Sequence, residues 1–377
     1  MAPKHLKIAF IRRGFSRSGG AEAYLKRLAA GVCAAGHEAT LVTSPDWPPN
    51  EWPFGELIAL PGKTPMQFAD AVDRARLEEH CDLVMSLERV RHCDVFRAGD
   101  GVHRAWLERR GRAGDVMEHL SMALNSKHQR MFRLEEALFK HGGARRVIAN
   151  SLMVKREIES IYGYPAERID VVTNGVPVEE FRSTAAERKE SRKVLDLTPN
   201  DFALLFVGSG WERKGLADAV RALKEIDDPK VKLFVAGRGN DRVFRARGAH
   251  FLGEVDDLAT LYRACDLFVL PTLYDPFSNA CLEALASGLP VVTTHANGFS
   301  EIMTEGVHGS VFRERDVGAM VAAIRYWSNA ERRAEARPVI LELAARYDIA
   351  RNVERTLEIL LQEAASAAST SGKIRNT

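Results

Sequence analysis

Two acidic residues, separated by seven others, flank an apolar segment in the second half of the chain. Asp275 stands just before Pro276, and Glu283 is the only charged residue in the apolar run that ends at Gly288. Proline suits the first position of a helix, and glycine often follows its last turn. A carboxylate on so apolar a helix must be paired or lie at the rim of a cleft, where sugar hydroxyls would satisfy it. A helix N-cap for Asp275 and a partly exposed position for Glu283 are the structural alternatives.

The beginning of this predicted helix is also a candidate anion site. The first N–H groups of a helix have no partner within it, and they lie at the positive end of its dipole. We expect these groups at Phe277, Ser278 and Asn279, where they could bind phosphate or hydroxyl oxygens.

A glycine-rich turn carries two adjacent cations earlier in the same half. An apolar run at 203–207 leads through Gly208 to Arg213, Lys214 and Gly215, and the helical pattern of 216–223 follows. A strand, a glycine-rich turn and a helix in this order are typical of phosphate-binding units. The G-x-x-x-x-G-K spacing of a Walker loop is absent.

A similar unit opens the chain. The apolar run 6–11 leads into a basic loop with Arg12, Arg13 and Arg17, and Gly19-Gly20 precedes a helical pattern at 21–35. The glycines let the backbone come close to a ligand at the helix start, although they could also simply form the turn.

Asp100 follows another predicted strand, and His92 and His103 flank it. Ligands of parallel sheets bind outside the carboxyl ends of the strands, so this loop is a candidate for chemistry on an acceptor hydroxyl. A solvated turn between Gly99 and Gly101 is the alternative.

The segment 101–146 is basic, with ten Lys and Arg against five Asp and Glu, and large apolar residues are interleaved with them. Trp106, Arg109 and Arg110 belong to it. The pattern is typical of a helix lying in an anionic membrane surface, and equally of a helix packed on a sheet with a solvated outer face.

Strand and helix patterns alternate along most of the chain, which predicts α/β architecture with doubly wound parallel sheets. At 377 residues the chain is long enough for two domains. Its net charge of +2 argues against nucleic acid as the main partner. No apolar run is long enough for a membrane span or a signal peptide, so we expect a cytoplasmic protein. The five cysteines are scattered and no Asp-x-Asp occurs, which predicts no metal.

The phrase P-T-L-Y-D-P-F-S-N-A-C-L-E-A-L-A-S-G-L-P-V-V resembles the signature of family 4 retaining glycosyltransferases. Three further motifs agree in order: Gly19-Gly20, Asn174-Gly175 and Arg213-Lys214-Gly215. The resemblance covers almost the whole chain and implies the GT-B fold, two Rossmann-like domains facing a cleft. The G-S-x-x-x-R-K-G pattern is most similar to that of lipopolysaccharide core glucosyltransferases. Two departures from the family pattern are Asp275, where Glu is usual, and the cation Arg213, which many members carry several residues earlier.

The resemblance also divides the chain. It implies an acceptor-side domain at 1–181, a donor-binding domain at 197–344 and a helix at about 345–363 that crosses back to the first domain. The low-complexity composition of 364–377 predicts a disordered tail.

The resemblance implies transfer of a hexose, with UDP-glucose as the first choice, onto a glycolipid or lipopolysaccharide core acceptor, with retained configuration and no metal or other cofactor. The implied catalytic residues are Lys214, Arg213 and Asp275, and we add Asp100 because of its position after a predicted strand. The implied donor-binding residues are Gly19, Gly20, Gly208, Arg238, Val255, Phe277, Ser278, Asn279 and Glu283. We place on the acceptor or membrane side Arg12, Arg13, Arg17, His103, Trp106, Arg109 and Arg110. Another GT-B transferase, with a mannosyl, heptosyl or N-acetylhexosaminyl donor, and a non-catalytic sugar-nucleotide-binding homologue are the alternatives.

A lipid-linked acceptor implies peripheral contact with an anionic membrane, at the cytoplasmic face of the inner membrane. We expect a monomer that has no nucleic acid partner.

Overall fold

The computed structural model describes residues 5–15, 20–111, 125–244 and 246–374. Arg17, Gly19 and Arg112 lie outside the described residues. The chain forms two compact units, one containing Met1–Thr173 with Arg351–Thr377 and the other Asn174–Ala350. Each unit is built around a parallel sheet, as the alternating apolar patterns predict, and the α/β fold class is confirmed.

The first unit contains seven parallel strands in the order β3-β2-β1-β4-β5-β6-β7. The strands are β1 Lys7–Ile11, β2 Glu38–Thr43, β3 Leu57–Ala59, β4 Leu83–Ser86, β5 Cys93–Ala98, β6 Ala144–Ala149 and β7 Ile169–Val171. Phe10 on β1 pairs with Leu41 on β2 and Met85 on β4, and all three are fully buried. Burial on both faces explains the continuous apolar runs of these strands.

The helices of the first unit are α1 Gly20–Ala34, α2 Pro65–Arg74, α3 His103–Gly111, α4 Ser126–Glu135 and α5 Leu152–Tyr162. A π-helical turn, Glu136–Lys140, continues α4. Thr64 and Gln67 form a capping box at the start of α2, which satisfies two otherwise unpaired N–H groups.

The second unit contains six parallel strands in the order β10-β9-β8-β11-β12-β13. They are β8 Phe202–Val207, β9 Val231–Ala236, β10 Ala249–Gly253, β11 Leu267–Leu270, β12 Val291–Thr294 and β13 Gly309–Phe312. The helices are α6 Val178–Phe181, α7 Ala185–Val194, α8 Trp211–Lys214, α9 Leu216–Ile226, α10 Leu258–Ala264, α11 Asn279–Ala286, α12 Val317–Trp327 and α13 Ala330–Arg346. Phe206, Phe268 and Trp327 are among its largest fully buried side chains.

The division between the units differs from the predicted boundary at 181. Residues 174–181 belong to the second unit, because the N–H of Val176 donates to the carbonyl of Tyr347 (2.9 Å) and Phe181 packs edge-on against Tyr262. The segment 174–181, which the sequence assigned to the end of the first domain, is therefore the beginning of the second unit.

A further helix, α14, contains Ile349–Ile374, and its residues from Arg351 onward belong to the first unit. Within that unit, Thr356 contacts the hydroxyl of Tyr24 (3.2 Å), and Glu363 pairs with Arg145 (2.9 Å). Helix α14 extends to Ile374, and disorder of the tail at 364–377 stays a prediction. Residues 375–377 lie outside the described residues.

Candidate active site

In the second sheet, the order in which successive strands are added reverses between β8 and β11. From β8 the chain proceeds through β9 and β10 on one side, and β11, β12 and β13 lie on the other. Ligands of doubly wound sheets bind at such a switch point, outside the carboxyl ends of the strands. The glycine-rich turn follows β8, and the loop that contains Asp275 follows β11. The topology thus brings together two segments that lie about 60 residues apart in sequence.

Glycines shape the turn after β8. Gly215 has φ +76°, and a Cβ atom there would lie 1.9 Å from the carbonyl oxygen of Pro271. Gly208 has φ +145°, and the aliphatic part of Lys214 packs over it, with Cε 3.4 Å from the position a Cβ would take. Only glycine combines these backbone angles with so close an approach, which explains the residue types around the two cations.

Lys214 and Asp275 form an ion pair across the switch point, between Nζ and Oδ2. Asp275 is only 5% exposed. Its backbone pairs with the following loop, because its N–H donates to the carbonyl of Ala296 and its carbonyl accepts from the N–H of Gly298, both at 2.9 Å. The carboxylate is therefore held rigidly, and it positions the lysine ammonium group.

Arg213 is held by the same loop. Its Nη1 donates to the carbonyl of Tyr274 (2.9 Å), and its own carbonyl accepts from the N–H of Leu273 (2.8 Å) and the hydroxyl of Thr272 (2.9 Å). The structure thus brings the two predicted catalytic cations and Asp275 to one place.

The helix after Asp275 begins later than predicted. It starts at Asn279, and the hydroxyl of Ser278 is its N-cap, so a helix start at Pro276 and a cap at Asp275 are both wrong. Asp275 does not cap this helix because three residues separate it from Asn279, the first helical residue, and its carboxylate pairs with Lys214. The N–H of Ser278 donates to Asn297 Oδ1 (3.3 Å), so the prediction that this N–H is unpaired is also wrong.

The three residues at this helix start have different surroundings. Phe277 and Ser278 are buried, whereas Asn279 is exposed. Asn174 donates to the carbonyl of Phe277 (2.9 Å) and to Asn279 Oδ1 (2.7 Å). Asn174 is therefore a positioning residue that sequence reasoning missed, although the Asn174-Gly175 motif signalled it.

Glu283 is partly exposed on α11, and its Oε2 accepts a hydrogen bond from the hydroxyl of Tyr262 (2.9 Å). Burial raises the pKa of Tyr262 well above its ordinary value, and the carboxylate of Glu283 raises it further. The tyrosine therefore remains a donor that orients the carboxylate. Nothing in the sequence pattern indicated this partner.

Arg238 and Val255 follow the two strands on the other side of β8. The N–H of Arg238 donates to Ser209 Oγ (3.1 Å), which joins the loop after β9 to the glycine-rich turn. The guanidinium of Arg238 pairs with Glu254 (3.1 Å), and both side chains are exposed. Val255 is partly buried against the core. Arg238 therefore adjoins the turn that carries Lys214.

The first unit also carries charged residues at its switch point, which lies between β1 and β4. Arg12, directly after β1, pairs with Glu88 after β4 (2.9 Å) and with Glu22 on α1 (3.2 Å). Burial raises the pKa of Glu88, and Arg12 opposes that shift. Arg13 is partly buried and Gly20 is the first residue of α1. Asp100 is exposed on the turn after β5.

Beside this turn, Glu135 is fully buried and accepts four hydrogen bonds. The donors are Arg89 Nε (2.9 Å), the N–H groups of His103 (2.6 Å) and Arg104 (3.4 Å), and the hydroxyl of Tyr162 (2.7 Å). Glu135 therefore ties α3 and α5 to the loop after β4. Sequence reasoning treated it only as one acidic residue of the basic segment.

Trp106, Arg109 and Arg110 are partly buried on α3. Arg109 pairs with Glu157 on α5 (2.7 Å), and Arg104 pairs with Glu136 (3.3 Å). These cations thus hold α3 against its neighbours, as in the packed-helix alternative. Among the described residues of the basic segment, the exposed cations include Lys127, Arg130 and Arg133 on α4, Lys140 in the π-helical turn and Arg145 on β6.

Two family models match successive parts of the chain. The model described as Glycosyltransferase Family 4 matches residues 18–180, and the model described as Glycosyl transferases group 1 matches residues 201–329. The chain belongs to the family 4 glycosyltransferases.

Individual relatives cover different shares of the chain. An uncharacterized glycosyltransferase of Methanocaldococcus jannaschii is 33% identical over 177 residues, 43% of this chain and 45% of that protein. The chain thus spans less than half of that relative. The lipopolysaccharide glucosyltransferase WaaG of Escherichia coli strain K12 is 24% identical over 328 residues, 81% of this chain and 85% of WaaG.

Two solved structures of glycosyltransferase-like chains share the fold. A crystal structure of WaaG, a glycosyltransferase involved in lipopolysaccharide biosynthesis, has a TM-score of 0.80 at 22% identity and covers 94% of this chain and 99% of WaaG. Anabaena Alr3699/HepE in complex with UDP and glucose has a TM-score of 0.75 at 19% identity, with coverage of 94% and 99%. These likenesses show the GT-B fold for this family 4 chain.

The described part of the chain contains no group of three or more His, Cys, Asp and Glu that could hold a metal ion. Within the same residues, no helix has the length and apolar character needed to cross a membrane.

His103 of this family 4 chain should make stability depend on pH. Burial lowers the pKa of His103 to about 4, and the charge of Arg89 adds to that shift. Between pH 6.5 and 4, His103 therefore stays neutral in the folded state but binds a proton in the unfolded state. Folding stability should fall as pH decreases through this window.

The measurement is thermal unfolding of the wild type and His103→Asn at pH 7 and at pH 4.5. From pH 7 to pH 4.5, the melting temperature of His103→Asn should decrease less than that of the wild type. An equal loss in both proteins would contradict the assignment, and His80→Asn, at an exposed position, is the control.

Proposed function

We propose that the protein is a metal-independent retaining glucosyltransferase that moves glucose from UDP-glucose onto a lipopolysaccharide core or related glycolipid acceptor. The observation that carries the proposal is the Lys214–Asp275 ion pair at the switch point of the second sheet. Similarity to WaaG over most of both chains supports the choice of donor and acceptor.

The donor diphosphate gains negative charge as the glycosidic bond breaks. Lys214, with Arg213 beside it, supplies positive charge where that charge develops, which stabilises the transition state more than the ground state. The bound diphosphate competes with Asp275 for the lysine, so the carboxylate keeps the ammonium group in place until the donor arrives. Arg213 and the residues around it are already held by the loop after β11.

The two acidic residues serve as hydroxyl ligands in this mechanism. Asp275 accepts hydrogen bonds from the sugar and Glu283 from the ribose, whereas the departing phosphate takes the proton of the acceptor hydroxyl. Burial and the ion pair with Lys214 keep the carboxylate of Asp275 ordered for this role. Trapping a glycosyl-Asp275 adduct would contradict this assignment and indicate a covalent intermediate.

A panel of sugar nucleotides tests the donor. The purified protein is incubated with UDP-, GDP-, ADP- and CMP-linked sugars and a lipopolysaccharide core acceptor, and the released nucleotide is identified. We expect UDP from UDP-glucose, at an unchanged rate in EDTA, and an α-linked product by nuclear magnetic resonance. Release of GDP or CMP, loss of activity in EDTA, or an inverted product would each contradict one part of the proposal.

A lipid-linked acceptor places the enzyme at the cytoplasmic face of the membrane, as a peripherally bound monomer. Because Arg104 and Arg109 are paired within the first unit, we assign the electrostatic contact to the exposed cations of α4. Lys127, Arg130 and Arg133 recur at intervals of three, so they lie along one side of the helix.

Co-sedimentation with vesicles tests this contact. Changing Lys127, Arg130 and Arg133 to Glu should abolish binding to anionic vesicles, because each cation near such a surface contributes about 1 kcal/mol. The matched control changes Lys193, Lys224 and Lys230, three exposed lysines of the second unit, to Glu. If both variants lose vesicle binding equally, the binding depends on net charge and not on α4. If the α4 variant binds anionic vesicles like the wild type, the proposal is contradicted.

A further inference from the structure

A cavity of about 310 Å³ lies in the second unit, far from the carboxyl ends of its strands. Asp266, which precedes β11, and Pro290, which precedes β12, line it, so it opens at the amino ends of the strands. The glycine-rich turn and Lys214 follow the carboxyl end of β8. The sheet therefore separates this cavity from the candidate donor site.

Arginine side chains surround the cavity. Arg188, Arg333 and Arg337 line it together with Asp266, and a fourth arginine, Arg192, pairs with the same aspartate (3.1 Å). Arg188 lies 2.7 Å from the carboxylate of Asp266, and Arg333 lies 3.6 Å from the same carboxylate. Asp266 thus pairs with three arginines, and Arg337 lines the same cavity, which leaves an excess of positive charge among the described residues of this cluster.

The arginines of this cluster disfavour one another's charge. Burial lowers the pKa of Arg333, Asp266 opposes that shift, and its neighbours Arg188 and Arg192 lower the pKa further. Burial likewise lowers the pKa of Arg337, and Arg188 adds to that shift. Arginine remains charged at neutral pH, so a bound anion would relieve this repulsion.

Two helices direct their amino ends at the same cavity. Thr184, the N-cap of α7, and Ala330, the first residue of α13, both line it. The helices contain ten and seventeen residues. Their positive ends add to the field of the arginines and favour an anion.

The contacts of Arg337 leave it available for a ligand. Its Nη1 donates to the carbonyls of Ser287 (2.8 Å) and Gly288 (3.5 Å), and its Nη2 donates to Ser183 Oγ (3.4 Å). Contacts of 3.4 and 3.5 Å are long for hydrogen bonds, so phosphate oxygens could replace them at small cost. In contrast, Arg188 is fixed by the carbonyls of Arg263 (2.7 Å) and Cys265 (2.6 Å), which orient it beside the cavity.

We propose that this cavity is a second ligand site, which binds inorganic phosphate or the phosphate group of a phosphate monoester through Arg188, Arg333 and Arg337. The planar guanidinium groups match the oxygens of a phosphate, and the volume suffices for a phosphate with a small organic substituent. The site is independent of the donor nucleotide, since none of the predicted donor residues lines it.

Isothermal titration calorimetry with inorganic phosphate tests the site at constant ionic strength. Saturating UDP is present throughout, and the titration is repeated in Lys214→Ala, so that phosphate at the candidate donor site does not contribute. Wild-type protein and Lys214→Ala should both bind one phosphate. Arg337→Gln should bind it about tenfold more weakly, because a hydrogen bond to a charged group is lost.

Arg332→Gln is the matched control, since Arg332 lies on the same helix, does not line the cavity and stacks on Tyr326. It should bind phosphate like the wild type. Circular dichroism melts establish that both variants are folded, and Arg337→Lys, which retains the charge, should bind more tightly than Arg337→Gln.

Two further probes distinguish the sources of the phosphate. Glycerol 3-phosphate competing with inorganic phosphate would indicate a soluble monoester, and competition only by phosphatidic acid vesicles would indicate a lipid headgroup. Both outcomes support the site. Absence of phosphate binding to the wild type, or equal binding by the wild type and Arg337→Gln, would overturn it.

Discussion

Replacing Lys214 with alanine should lower kcat for sugar transfer by about 10²- to 10³-fold, the range seen when one preorganised group that stabilises transition-state charge is removed. The lysine lies 13% exposed in an ion pair with Asp275, at the switch point where the diphosphate is expected. KM for the donor should change less than kcat, because the charge on the leaving group develops mainly in the transition state.

Steady-state kinetics with UDP-glucose and a core acceptor provides the measurement. Lys224→Ala, at an exposed position on the neighbouring helix α9, is the control and should retain wild-type kcat. Lys214→Arg should recover part of the rate, since it restores the charge without the lysine geometry. Wild-type kcat in Lys214→Ala would remove the lysine from the mechanism.

Replacing Glu135 with alanine should destabilise the first unit by about 3–5 kcal/mol, the cost of leaving a buried charge without its partner. Glu135 is fully buried, and the side chain of Arg89 is 9% exposed. Burial lowers the pKa of Arg89, but the carboxylates of Glu135 and Asp100 outweigh burial and raise it. The arginine would remain charged after the substitution and lack its closest counterion.

Amide hydrogen exchange in β5 and β6 measures this effect, because it reports on the first unit even if the two units unfold separately. Glu136→Ala is the adjacent control. Its ion pair with Arg104 is more than a third exposed on both sides, so its loss should cost less than about 1 kcal/mol. Similar losses of protection in the two variants would contradict the role given to Glu135.

Local sequence patterns determined most of the secondary structure and the position of the two cations. The apolar runs at 203–207 and 267–270 correspond to β8 and β11, because a strand buried on both faces requires apolar side chains without interruption. Gly208 and Gly215 marked the turn around Lys214, because their backbone angles and close contacts admit no side chain.

The tertiary structure decided which residues meet. The adjacency of β8 and β11, which follows from the strand order of the whole sheet, brings Lys214 to Asp275. The start of α11 was predicted wrongly because Asn297, a residue from the next loop, pairs with the backbone of Asp275 and accepts from the N–H of Ser278, and Ser278 is the N-cap. Likewise Arg109, which sequence alone assigned to a basic surface, forms an ion pair with Glu157 on α5. Contacts between distant segments compete with local preferences, and a single sequence carries no direct record of them.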